Sequence, residues 1–187
     1  MDDKIVLLLL FNNNILRTNL IGYENYICDS EAASNLIRSS TKYFKDKGYK
    51  IEAIDGSEEL CQIASEYSGI KVECMLFQDL NENDQYDGIW ACASILHLSK
   101  TEMKDVLKKM IRSLKKNGII YTSFKYGEFE GMRNNRYFSD FTEKTFQEYL
   151  INIEGVKLEK QWVTADVRPD RGEEKWLNII LRKSDFN

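Results

Sequence analysis

Residues 49–57 read YKIEAIDGS, and the change of pattern inside that stretch sets the frame for the rest of the chain. Apolar side chains at every second position up to Ile54 predict a strand. Asp55-Gly56-Ser57 marks a turn. Ser57 is a good N-cap, and Glu58 and Glu59 after it suit the positive end of a helix. That helix runs to about residue 66, where Ser68-Gly69 stops it.

The same alternation continues outward. Residues 70–77 predict the next strand and residues 78–85 a polar connection. Residues 87–94 (DGIWACAS) form a mostly apolar run bounded by turn signals, as in a strand buried on both faces of a parallel sheet. Ser99 or Thr101 caps a helix with Met103, Val106, Leu107, Met110, Ile111 and Leu114 on one face. Lys115 and Lys116 suit its C-terminus, and Asn117-Gly118 ends it. Residues 119–124 are another strand, and residues 125–140 read as a long polar and aromatic loop. Thr142 caps a helix carrying Phe146, Tyr149, Leu150 and Ile153. Residues 156–163 and 176–181 are strands joined by a turn-rich segment that holds the only proline, Pro169. Strand-helix alternation predicts an α/β, three-layer, Rossmann-like fold with a mostly parallel sheet. The last two strands have no helix between them, so they pair antiparallel and the sheet ends on an antiparallel strand.

Composition narrows the classes. With 187 residues, 43% of them hydrophobic, the chain fits one domain with a sizeable core. The longest apolar run, residues 5–11, falls far short of the roughly 20 residues that span a bilayer. The start Met1-Asp2-Asp3-Lys4 lacks the basic region of a signal peptide, so the expected location is cytoplasmic. Cys28, Cys61, Cys74 and Cys92 are far apart with no CxxC pair, and there is a single histidine, so no metal site is expected. A net charge of -4 argues against a nucleic-acid partner. Lys104, Lys108, Lys109, Arg112, Lys115 and Lys116 still cluster on one segment, where a solvated helix face is the plain reading.

In such sheets ligands bind outside the carboxyl ends of the strands. Asp55 ends the first clear strand, where a carboxylate can accept both hydroxyls of a ribose, or can cap the helix that follows. Asp79 ends the next, where an acid can accept from the amino group of an adenine. Ala91, Cys92 and Ala93 are small residues at a strand end, which leaves room for a ligand or for close helix packing. His97 is a candidate general base or a structural histidine. Lys125, Tyr126, Arg133, Arg136 and Tyr137, interleaved with Phe124, Phe129, Phe138 and Phe141, suit a lid over a polar or anionic substrate, or an ordered surface loop.

The stretches YKIEAIDGSEELCQIAS, MLFQDL, YDGIWACASILHLSK, VLKKMIRSLKKNGIIYTSFKYG and EKWLNIIL, in this order, resemble class I S-adenosylmethionine-dependent methyltransferases, most of all small bacterial tellurite-resistance-type members. The resemblance covers residues 41–182 and sets off residues 1–40 as an atypical segment, either part of the same domain or foreign to it. It implies a seven-stranded sheet and S-adenosylmethionine as methyl donor. The donor would be held by Asp55-Gly56-Ser57 at the ribose, Gln78-Asp79-Leu80 at the adenine and Ala91 at the methionine end. It further implies a small-molecule acceptor on the side of His97 and Tyr126, the catalytic candidates, with Lys125, Arg133, Arg136 and Tyr137 binding it. The chain departs from the family at the glycine-rich loop after the first strand. The expected place, residues 27–35, reads ICDSEAASN, with Asp29 and Ala32-Ala33-Ser34 as stand-ins. A Cβ where the backbone must approach a ligand weakens binding. A degenerate methyltransferase fold serving as a binding or partner subunit is therefore the alternative. A nicotinamide dinucleotide enzyme is a weaker one, since GxGxxG is absent. Residues 5–11 either supply a replacement first strand or pack elsewhere.

Overall fold

The computed structural model describes residues 4–8, 44, 48–166, 171 and 173–184. In chain order the elements are β1 (Lys4–Leu8), β2 (Lys50–Asp55), α1 (Glu58–Ser68), β3 (Val72–Cys74), β4 (Tyr86–Ala91), α2 (Lys100–Ser113), β5 (Leu114–Lys125), β6 (Glu130–Arg133), β7 (Arg136–Ser139), α3 (Glu143–Leu150), β8 (Val156–Ala165) and β9 (Lys175–Lys183). Seven strands form one sheet in the order β3-β2-β1-β4-β5-β9-β8, and β6 and β7 form a separate antiparallel pair.

The sheet is parallel from β3 through β5, while β9 runs antiparallel to both of its neighbours, β5 and β8. The antiparallel last strand is the one the sequence pattern predicts. It is inserted between β5 and β8 rather than added at the edge. Residues 4–8 supply an interior strand, pairing β2 on one side and β4 on the other. The expectations for residues 27–35, for the boundary at residue 40 and for Cys28 lie outside the described residues.

Three layers follow from the alternation of side chains along each strand. Ile54 joins a large core with Ile89, Ile120, Phe124, Leu177 and the inner faces of α2 and α3. Its neighbour Ala53 points the other way, into a second cluster with Cys61 and Ala64 of α1, Val72, and the partly buried Phe44, Ile51 and Trp90. The helix ends obey local chemistry. Ser57 caps α1 and Gly69, at φ 64°, closes it. Ser99 and Glu102 form a capping box on α2.

Three elements differ from the sequence reading. The strand expected over residues 70–77 shrinks to Val72–Cys74, because the chain turns at Phe77, which is wholly buried, into a 3-10 turn over Phe77–Asp79. Asn117-Gly118 does not end α2, which stops at Ser113. Leu114 enters the core fully buried, and Asn117 (φ 62°) sits in a wide irregularity of β5, where Tyr86 pairs with Leu114 but Gly88 with Ile119. The expected loop over residues 125–140 contains the β6–β7 hairpin. Its turn is Asn134-Asn135, at φ 51° and 59°, the left-handed pair that matches strand twist.

Candidate active site

From β1 the chain moves outward to β2 and β3, then returns to the other side of β1 as β4 and β5. The order therefore reverses between β1 and β4, and in sheets of this kind ligands bind outside the carboxyl ends of the strands at that point.

On one side of it Asp55 ends β2 with no solvent exposure. Its Oδ1 accepts from the Ser57 N–H at 2.8 Å, and Ser57 Oγ in turn accepts from Leu60 N at 3.4 Å. The Asp55 carbonyl accepts from Met75 N at 2.9 Å and from the Cys61 thiol at 3.3 Å. Burial first, and the Asp55 charge second, push the Cys61 thiol up to about 12, so it stays protonated and able to donate. Asp55, half-buried Gly56 and Ser57 thus form one compact turn. Beyond β3, Gln78 and Asp79 are exposed and Leu80 is buried. The backbone there is fastened from behind by α2: Lys109 Nζ donates to the Gln78 carbonyl and Arg112 to the Leu80 carbonyl at 3.3 Å.

On the other side Ala91 ends β4, fully buried, its carbonyl accepting from Thr122 Oγ1 at 3.2 Å. Ala93 follows at φ 47°, a left-handed conformation uncommon outside glycine. Its N–H donates to Ser123 Oγ at 2.9 Å, which holds that turn against β5. Ser94 is buried, and its Oγ has no partner among the described residues. His97 lies in the next turn, with Nδ1 at 2.9 Å from the Tyr137 carbonyl and its ring edge-on to Phe138 at 4.7 Å. Burial is the main cause that lowers the His97 pKa to about 4, the Arg136 charge adding to it. The imidazole is therefore neutral near pH 7. With a carbonyl facing Nδ1, the proton sits on Nδ1 and Nε2 is the acceptor.

The hairpin roofs this side. Arg133 pairs with Asp140 at 2.6 Å and lies over the rings of Phe129 (4.4 Å) and Phe138 (5.1 Å). Asp140 is buried, and its Oδ1 has no partner among the described residues. Ser139 Oγ donates to the Leu98 carbonyl at 2.8 Å, and Tyr137 OH to Glu130 at 3.2 Å. Arg136 is half-buried beside it.

The five candidates of this segment do not converge. His97 meets Tyr137, whereas Arg133 turns to Asp140. Lys125 points toward the β8–β9 end, pairing with Asp166 at 3.3 Å and with Glu174 and lying 4.3 Å from the Trp176 ring. Tyr126 is exposed and donates to Glu143 at 2.8 Å. The sequence reading missed Ser94, Ser123 and Asp140. The signal available for Ser123 was a polar pair, Thr122-Ser123, inside an otherwise apolar strand. Among the described residues no group of acids, cysteines or histidine is placed to hold a metal, and no helix is long and apolar enough to cross a membrane.

The sheet order, parallel through β5 with β9 antiparallel between β5 and β8, defines the Rossmann-like methyltransferase fold. Comparison with known proteins agrees. Residues 38–118 match the family described as "Methyltransferase domain". Over 124 residues the chain is 31% identical to an uncharacterized methyltransferase of Staphylococcus carnosus (strain TM300), a match covering 63% of this chain. It spans 60% of that relative's length. Among solved structures, the 1,6-didemethyltoxoflavin-N1-methyltransferase of Burkholderia thailandensis, with 1,6-didemethyltoxoflavin and S-adenosylhomocysteine bound, superposes with a TM-score of 0.69 at 17% identity. That superposition covers 98% of this chain and 72% of the other. A SAM-dependent methyltransferase of Methanosarcina mazei gives 0.67 at 16% identity, covering 98% and 93%.

Proposed function

We propose that the chain is an S-adenosylmethionine-dependent methyltransferase acting on a small-molecule acceptor. The observation that carries this reading is the placement of Asp55 and Ala91 at the ends of the strands flanking β1, at the point where the strand order reverses. The residues there fit a donor with a ribose and an amino-acid end. A buried carboxylate stands on one side, and a buried hydroxyl without a partner among the described residues, Ser94 Oγ, on the other. The comparisons support the same reading through the methyltransferase domain match and a solved neighbour holding S-adenosylhomocysteine.

When bound, the donor supplies a methyl group on a sulfonium sulfur. Asp55, held by the Asp55-Gly56-Ser57 turn, accepts from the ribose hydroxyls. Asp79, with Gln78 and Leu80 beside it, lines the adenine, and Ala91 leaves room for the methionine end. The acceptor lies beside the joined His97 turn and hairpin, which carries Arg133, Arg136 and Tyr137, with Lys125 and Tyr126 at the hairpin's root. In-line displacement needs placement and exclusion of water more than a strong base. A neutral His97 whose Nδ1–H holds the hairpin suits that task. The three described cysteines are free thiols, which fits a reducing, cytoplasmic setting.

A second reading, the same fold without donor binding, is favoured by one feature. The segment leaving β1 reads LLFNNN, with no glycine before Gly22. Calorimetric titration with S-adenosylhomocysteine separates the two. Micromolar binding, kept by the wild type and lost in Asp55→Asn, supports the donor site, because asparagine keeps the acceptor for Ser57 N and so keeps the turn. No binding at millimolar ligand in the folded chain overturns the enzyme reading.

A further inference from the structure

A groove of about 590 Å³ runs along α2 and ends where β4 begins and β9 finishes, the edge of the sheet opposite to Asp55 and Ala91. Its lining carries four cations, Lys104, Lys108, Arg112 and Lys183, against two acids, Asp84 and Glu154. Lys183 is fixed by Asp84 at 2.7 Å and by the Leu114 carbonyl, and Arg112 by Leu80 and Asn81. Lys104 has no ion pair among the described residues, and Lys108 reaches only Asp105, at 3.6 Å, with both side chains more than half exposed.

We propose that this groove docks an acidic peptide segment of a partner protein in extended conformation. Lys104, Lys108 and Arg112 recur at every fourth position of α2, so their charges stack on one face about 6 Å apart along the axis. Like charges at that spacing destabilise a helix. Among the described residues Asp105 is the one helix carboxylate paired with them, at 3.6 Å from Lys108, which leaves Lys104 open to a carboxylate from outside the helix. In an extended peptide, alternate side chains on one face are roughly 6.6 Å apart, which matches the lysine spacing. Ile111 gives the groove an apolar floor, and Glu154 offers an acceptor for a peptide N–H. A nucleic-acid backbone fits less well, because it carries no backbone N–H for Glu154 to accept. The groove lies away from the proposed donor site, so docking there does not depend on methyl transfer.

The test uses a fluorescein-labelled peptide of alternating glutamate and glycine, followed by anisotropy at low salt with the full chain. The expected result is saturable binding, weakened at least tenfold in Lys104→Glu/Lys108→Glu and unchanged in Lys157→Glu, an exposed lysine of β8. Lys104→Gln/Lys108→Gln, which spares α2 any new repulsion, should weaken it by an intermediate factor, with α2 content checked by circular dichroism. Absence of binding, equal binding of the glutamine counterpart, or indifference to both double variants overturns the proposal. Tighter binding of a thymidine octanucleotide through the same lysines also overturns it, in favour of a nucleic-acid surface.

Discussion

The end of β2 and the roof over β5 each contain a buried carboxylate, Asp55 and Asp140, but the two regions are held by opposite means. Asp55 is fastened mainly within a few residues of itself, by Ser57 N, Cys61 Sγ and the cap on α1, with Met75 N joining from beyond β3. The roof is fastened across the chain: His97 to Tyr137, Ser139 to Leu98, Lys100 to Glu130 and Tyr149 to Lys100. A locally closed turn forms whenever its own segment folds. A roof closed by distant contacts depends on the packing beneath it. The turn is therefore expected to be insensitive to changes in the aromatic core, and the roof to report them.

The largest effect is expected at that core. Phe124, Phe141 and Phe146 are all fully buried and meet at ring-centre distances of 5.0, 5.7 and 5.3 Å. Phe124→Ala should cost about 3–5 kcal/mol in urea unfolding, in line with deletion of a buried ring. Amide exchange should show the hairpin losing protection while the β2 turn keeps its own until global unfolding. Equal loss at both places would erase the distinction.

Acid should act on the roof next. The His97 pKa is about 4 folded against 6.5 when unperturbed, so between those values the unfolded chain binds the extra proton. Stability is then full above pH 6.5 and falls as the pH drops toward 4, by roughly 3 kcal/mol across the window. His97→Gln should flatten that part of the profile. A profile unchanged by the substitution would remove His97 as the cause. A smaller effect follows for the Arg133–Asp140 pair. Arg133 is 38% exposed, so a double-mutant cycle with Arg133→Ala and Asp140→Ala should return about 1–2 kcal/mol of coupling. A value near zero would place the roof's strength in its ring contacts instead.

This division also explains what could be read from the chain before folding. The strand YKIEAI, the Ser57 cap and the Gly69 stop depend on neighbours in sequence, and their pattern is visible there. The antiparallel last strand was legible because two strands without a helix between them leave few alternatives. The shortened β3 was not, since Phe77 turns inward to fill a core assembled from distant residues. Asn117-Gly118 resembles a helix stop, but Leu114 is drawn into the core first and the left-handed residue serves β5 instead. At the site, Asp55 and Ala91 could be placed because strand ends follow from strands. That Lys125 faces Asp166 and Glu174, away from the roof, is decided by the β5–β9–β8 pairing, which no local pattern carries.

The smallest effect gives the cleanest comparison. Ser57→Ala removes a cap whose bond to Leu60 N is long, at 3.4 Å, while the Asp55–Ser57 backbone contact survives because it uses the main-chain N–H. The cost should be about 0.5–1 kcal/mol. Ser139→Ala removes a buried bond of 2.8 Å and leaves the Leu98 carbonyl unpaired, which should cost about 1–2 kcal/mol. The two sites share no contact, so the double variant should be additive within about 0.5 kcal/mol. Coupling beyond that would mean that turn and roof form one cooperative unit across the sheet. On the proposed donor site, a ligand spanning Asp55 and Ala91 would supply the physical link for such coupling, so repeating the cycle with saturating S-adenosylhomocysteine should raise it above the ligand-free value.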